Sequence, residues 1–162
     1  MYMTALMQAV QRNDAGEVQR LIDQGADVNQ LEATGDAPLV MAAYKGYGDV
    51  VRLLLQAGAD VKAVDPSMKA TALHAAAYAG RTEAARVLIE YGIDVNAQGP
   101  YNGYTALHDA IWQNNIPTAE VIIDAGADLT LKSHDGQTPL EFAQSRKRDE
   151  IVDLIRARQN RG

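Results

Sequence analysis

Residues 71–97 read TALHAAAYAGRTEAARVLIEYGIDVNA, and residues 105–131 read TALHDAIWQNNIPTAEVIIDAGADLTL. The two stretches align without a gap at an offset of 34 residues. Working outward, the same opening recurs as Thr4-Ala5-Leu6, Ala37-Pro38-Leu39 and Thr138-Pro139-Leu140, so five copies stand at steps of 33, 34, 34 and 33 residues. A second marker follows 21 residues after each of the first four: Gly25-Ala26-Asp27, Gly58-Ala59-Asp60, Gly92-Ile93-Asp94 and Gly126-Ala127-Asp128. Two markers at a constant offset mean that the chain is built from one repeated unit.

Within each unit the spacing predicts two helices. Leu stands two residues after the opening position (Leu6, Leu39, Leu73, Leu107, Leu140) and Ala five residues after it (Ala9, Ala42, Ala76, Ala110, Ala143). A gap of three places both on one face of a short helix, and Ala there lets a neighbouring helix come close. Nine residues after the opening come Asn13, Gly46, Gly80, Asn114 and Lys147. Gly and Asn tolerate the left-handed backbone that ends a helix. A second apolar helix follows, as in Val50-Val51-Leu54-Leu55, and ends at the glycine of the second marker. Thr suits the N-cap of the first helix; Ala37 has no capping oxygen, so that start is expected to be weaker. Polar, turn-prone segments such as 99–103 and 133–136 join the units.

These residues resemble ankyrin repeats. The resemblance is carried by TALHAAAYAG…GIDVNA and TALHDAI…GADLTL and runs from residue 4 to about residue 157. It implies an all-α solenoid of stacked helix-turn-helix units with β-hairpin-like loops. The expected organisation is a single domain over 1–162, with units at about 4–34, 35–68, 69–102, 103–135 and 136–160, the outer two as caps. Lys69 stands where the family pattern has a glycine, two residues before Thr71, and the linkers on either side of the third unit are one residue longer. Irregular loop tips are expected there. The family also implies that His74 and His108 are structural and bond to loop backbone.

Composition and charge narrow the function. The chain has 162 residues, 47% apolar and 22% charged, with 27 Ala and no Cys. Such usage is ordinary for a folded domain. The lack of Cys excludes a disulfide framework, a thiolate zinc site and a Cys nucleophile. The formal charge is −6, made of −9 over residues 1–145 and +3 over 146–162. An acidic body repels phosphate backbones, so nucleic acid is not the expected partner. No stretch approaches the length of a membrane span, and MYMTALMQAVQRND is not a signal sequence; the expected compartment is cytoplasmic.

No catalytic pattern emerges. Gly46-Tyr47-Gly48 lacks the third glycine of a dinucleotide fingerprint and follows a helix, not a strand. There is no nucleophile elbow, metal-binding helix motif or phosphate loop. His108 and Asp109 are helix neighbours and point apart. His134 falls in a loop tip and is expected to be simply exposed. No catalytic residue, cofactor or metal is expected.

The informative positions are those that do not repeat. Residues four, seven and eight after the opening share one helix face, which in the resembling family lines a concave groove together with the loop tips. The row at seven reads Gln11, Tyr44, Tyr78, Trp112, Ser145; three central units carry an aromatic at one site. The rows at four and eight contribute Met41, Asp109, Lys45, Gln113 and Arg146, and the loop before the fourth unit adds Tyr101 and Tyr104. Tyr and Trp are the usual anchors of protein interfaces. The reading is therefore a non-catalytic protein-binding module, monomeric on its own. It would act as inhibitor or adaptor for a partner protein with a basic surface, through Met41, Tyr44, Lys45, Tyr78, Tyr101, Tyr104, Asp109, Trp112, Gln113 and Arg146. Two alternatives stand beside it: a scaffold that self-associates through an open end bearing Met1, Met3 and Met7, and an enzyme with a small-molecule pocket near Tyr104, Asp109 and Trp112. Against the binding role of the aromatic row stands the reading that the rings merely pack on one another.

Overall fold

The computed structural model describes residues 2–161. The chain forms α1 (Ala5–Gln11), α2 (Ala15–Asp23), α3 (Pro38–Lys45), α4 (Gly48–Gln56), α5 (Ala72–Ala79), α6 (Thr82–Glu90), α7 (Ala106–Trp112), α8 (Ile116–Asp124), α9 (Pro139–Ser145) and α10 (Asp149–Arg161). Consecutive helices pair, α1 with α2 through α9 with α10, and the pairs stack. The odd-numbered helices make one layer and the even-numbered ones the other. This is the all-α solenoid the spacing predicts.

The first layer is close-packed because its contact residue is alanine. Ala42, Ala76, Ala110 and Ala143 have no exposed surface, and Leu39, Leu73 and Leu107 are buried beside them. The second layer closes the core with Val50, Leu54, Leu88, Ile122, Ile151 and Ile155. Small residues bring the backbones together, and the larger aliphatics behind them supply the buried apolar area.

The helix starts follow the capping chemistry. Thr4, Thr71, Thr105 and Thr138 each accept from a backbone N–H three residues on, whereas Ala37 offers nothing to α3. The helix ends take positive φ where expected, at Asn13, Gly46, Gly80, Asn114 and Lys147. At Gly46 a second constraint operates. An added Cβ would stand 2.6 Å from the Arg81 side chain, so the position needs glycine for space as well as for φ. Lys69 adopts φ +54 and so takes the turn conformation held at the matching positions by Gly35, Gly103 and Gly136.

One recurrent contact was not foreseen. Ten residues after the opening, the side chain reaches back to the preceding unit and donates to carbonyls at its helix end. Arg81 Nε donates to the carbonyl of Tyr44 at 3.1 Å, and Asn115 Nδ2 donates to those of Ala77 and Tyr78 at 2.8 and 3.0 Å. Arg148 donates from Nε and Nη2 to the carbonyls of Ile111 and Trp112 at 3.1 and 2.8 Å. Carbonyls of the last helical turn gain a donor across the unit boundary. Tyr47, at the same position in the second unit, instead lies half-buried against the core.

The connecting loops are hairpin-like, with a single antiparallel bridge, Val64 with Thr71, as the only β pairing among the described residues. Closing bonds run from Glu32 N to Asp36 O and from Ser133 N to Gln137 O in the outer loops. In the two longer loops they run from Asp65 N to Ala70 O and from Gly99 N to Tyr104 O, one residue further along. The extra residue is thus absorbed at the tips. His134 is exposed, yet it is not idle as expected: its backbone N–H donates to Asn102 O at 2.8 Å and its Nδ1 lies 3.2 Å from Tyr101 O. Of the methionines expected to make a sticky N-terminal end, Met1 lies outside the described residues. Met7 is in the core, and only Met3 is exposed. The basic tail falls on α10, whose last turn carries Arg158 and Arg161, as the helix dipole favours.

Candidate concave binding site

Three helices and three loops surround one open cleft of about 630 Å³. Met41 and Tyr44 come from α3, Ala75 and Tyr78 from α5, Asp109 and Trp112 from α7. Residues four and seven after the opening lie one helical turn apart, so each short helix presents a pair of side chains to the same side. The loops add Asp65, Met68 and Tyr104. Six of the predicted residues therefore meet: Met41, Tyr44, Tyr78, Tyr104, Asp109 and Trp112.

The other four do not line it. Lys45 and Gln113 are exposed at the ends of their helices, and Tyr101 is 62% exposed at a loop tip. Arg146 lies with its guanidinium 3.8 Å from the Trp112 ring centroid, a cation–π stack. Conversely, Asp36, Asp65 and Met68 belong to the cleft and escaped the sequence reading. They lie in loops that fold over the helices, and no helical periodicity marks them; the Asp65-Pro-Ser-Met68 turn was the one available signal.

The aromatic residues divide into two kinds. Tyr44 and Tyr78 are 47% and 46% exposed, and neither ring pairs with another among the described residues. Trp112, 39% exposed, and Tyr104 are anchored at the far end of the cleft. Their rings lie 6.2 and 5.2 Å from that of buried Phe142, and 6.2 Å from each other. Ring-on-ring packing thus accounts for part of Trp112 and Tyr104, and for none of Tyr44 and Tyr78. Such pre-positioned rings lose little freedom when covered.

The histidines brace the cleft rather than act in it. His74 Nδ1 accepts from Thr71 N–H and Oγ1–H at 3.2 and 2.8 Å, and its Nε2 donates to Tyr104 O at 2.9 Å. His108 repeats the arrangement with Thr105 and Gln137 O. These partners fix the neutral tautomer with the proton on Nε2. Burial lowers the pKa of both rings. Each histidine ties a helix start to the following loop, the role the resemblance implied.

Asp109 is different. It is half-buried, no ion pair among the described residues includes it, and no hydrogen bond offsets its burial. Desolvation alone pushes its carboxyl up to about 7. Among the described residues, no group of three or more His, Asp or Glu side chains is arranged to hold a metal ion, and no helix is long and apolar enough to cross a membrane.

Comparison with known proteins agrees with this architecture. A family profile described as ankyrin repeats (3 copies) matches residues 1–65 and 64–133. The chain is 47% identical over 58 residues to the 2-5A-dependent ribonuclease of Mus musculus, covering 35% of this chain and 8% of that protein. It is 46% identical over 56 residues to the mitochondrial disaggregase of Bos taurus, again 35% and 8%. To protein phosphatase 1 regulatory subunit 27 of Mus musculus it is 38% identical over 63 residues, 39% of this chain and 41% of the relative. In each case the chain spans less than half the length of the relative. Repeat period, stacked helix pairs and profile coincide over most of the sequence: the chain belongs to the ankyrin repeat family.

Proposed function

We propose that this chain is a single ankyrin repeat domain, with five units at about 4–34, 35–68, 69–102, 103–135 and 136–160. It binds a partner protein without catalysis, through the concave cleft of its central units. The observation that carries the reading is the pair Tyr44 and Tyr78, large rings held half-exposed at matching positions of adjacent helices with no aromatic partner. Interface anchors are of this kind. The cleft lies open along the stack and suits an extended segment of a partner. A relative named as a regulatory subunit supports an adaptor or inhibitor role. Tyr104, Asp109 and Trp112 do share the cleft, but it opens to solvent, and its hydroxyl–imidazole pair, Thr71 with His74, is committed to capping α5.

The test is affinity capture with mass spectrometry, using the wild-type chain and a Tyr44→Ala/Tyr78→Ala variant as baits. Trp112 is left in place because it packs on Phe142 and Arg146. Circular dichroism first establishes that both baits fold. A protein held by the wild type and lost by the variant is the expected result. A protein held equally by both moves the binding surface away from the cleft.

A further inference from the structure

We infer that the cleft receives an arginine side chain of the partner protein, with Asp109 as its counter-ion and Tyr78, Tyr104 and Trp112 as its walls. The inference rests on the concave-face reading and gives it a chemistry. The cleft is lined by three carboxylates, Asp36, Asp65 and Asp109, and by no lysine or arginine. Two of the three are already answered. Asp65 accepts from the backbone N–H of Met68 at 2.8 Å, and Asp36 from Thr34 Oγ1 at 2.7 Å. Asp109 alone has no donor. A partly desolvated carboxylate without a partner is costly, and a cation arriving from outside removes that cost.

The nearby positive groups do not fill the role in this structure. Arg146 is stacked on Trp112. His74 is held neutral, with Nε2 turned to Tyr104 O. The walls favour a guanidinium over an ammonium. A flat, weakly hydrated cation stacks on ring faces and meets a carboxylate through two parallel N–H bonds. Arg146 over Trp112 already displays that stacking in this molecule. The apolar side chains of Met41, Met68 and Ala75 beside the charged floor suit an arginine flanked by apolar residues.

A seated cation requires the ionised carboxylate, so binding releases a proton where Asp109 is protonated. The other titratable or charged groups around the cleft are Asp36, Asp65, Tyr44, Tyr78, His74 and Tyr104, with Arg146 beyond Trp112. Burial holds His74 neutral, and the pH dependence between 6 and 8 is assigned to Asp109.

The test uses three small probes in carbon-detected and nitrogen-detected NMR titrations: the Nα-acetyl methylamides of arginine, of its neutral isostere citrulline, and of lysine. The Asp109 carboxyl carbon and the indole N–H of Trp112, the only tryptophan, report occupancy. At pH 8 the arginine probe is expected to shift both signals and to bind about tenfold more tightly than citrulline. That preference should shrink at pH 6 and vanish in Asp109→Asn, whose fold is checked by its own amide spectrum. Equal binding of arginine and citrulline, a preference that survives Asp109→Asn, or a stronger response to lysine overturns the inference. Each of these outcomes leaves the concave-face reading standing if Tyr44→Ala/Tyr78→Ala still loses a captured partner. The reverse case is equally clear. An arginine-selective cleft combined with a partner that ignores the tyrosines ends the concave-face reading alone.

Discussion

At the level of single residues, Asp109 and the two buried histidines pull stability in opposite directions as pH changes. The Asp109 pKa is raised by burial, from 3.8 to about 7. The unfolded chain releases that proton more easily, so ionised Asp109 penalises the fold above pH 7, and the penalty disappears as pH falls towards 4. His74 and His108 have lowered pKa values. The unfolded chain then takes up protons before the folded one does, and stability falls as pH drops below about 6.5, the ordinary histidine value. Asp109→Asn is therefore expected to raise the stability at pH 8 by about 1–2 kcal/mol. It should also steepen the loss on acidification, because only the histidine trend remains. Urea melts of both proteins at pH 8, 7, 6 and 5 measure this, and parallel curves would contradict it. Asp109 was legible in the sequence as a charge beside Trp112. Its lack of a partner was not, because that depends on what the neighbouring units withhold. Lys69 shows the same limit: the sequence revealed a missing glycine, while the chain simply places lysine at φ +54.

Among the helices, α3 stands apart. In α5 and α7 a Thr–His pair forms a reciprocal cap, and the same histidine donates to the carbonyl that closes the next loop. The matching positions of α3 are Ala37 and Val40, which provide none of these bonds. The carbonyl of Ala70 closes its loop with Asp65 N–H, as the carbonyl of Tyr104 does with Gly99 N–H, so a histidine at 40 has a waiting acceptor. The double variant Ala37→Thr/Val40→His should be more stable than the sum of its two single variants by about 1 kcal/mol. A thermal double-mutant cycle gives this number, and additivity would show that the two sites act separately. Helix existence and ends were fully legible here, since Leu, Ala, Gly and Thr repeat at fixed offsets. The tie between a helix start and the following loop came only from the family resemblance, because its acceptor is a backbone carbonyl with no sequence signature.

Over the molecule as a whole, each helix pair touches only its neighbours along the stack. Stability then accumulates from units and junctions, and the ends have one junction each. Native-state hydrogen exchange should show protection highest in α5 and α6, with the amides of α2 opening at a free energy about 1–3 kcal/mol lower. Uniform protection would mean that the stack opens as one block. The stack was readable from the period, and so were six residues of the cleft. Asp36, Asp65 and Met68 were hidden because they arrive from loops, and the packing of Phe142 and Arg146 on Trp112 was hidden because it crosses a unit boundary. The side chains of Arg81, Asn115 and Arg148 that reach back to the preceding unit carry a consequence for heredity. Their acceptors are main-chain carbonyls, which every unit supplies whatever its sequence. A gene that loses an internal copy, or duplicates the third or fourth, therefore rebuilds the same junction with whichever of these donors arrives next. Copy number, and with it the length of the groove, is open to change at little structural cost, while the aromatic and acidic residues inside each copy travel with it.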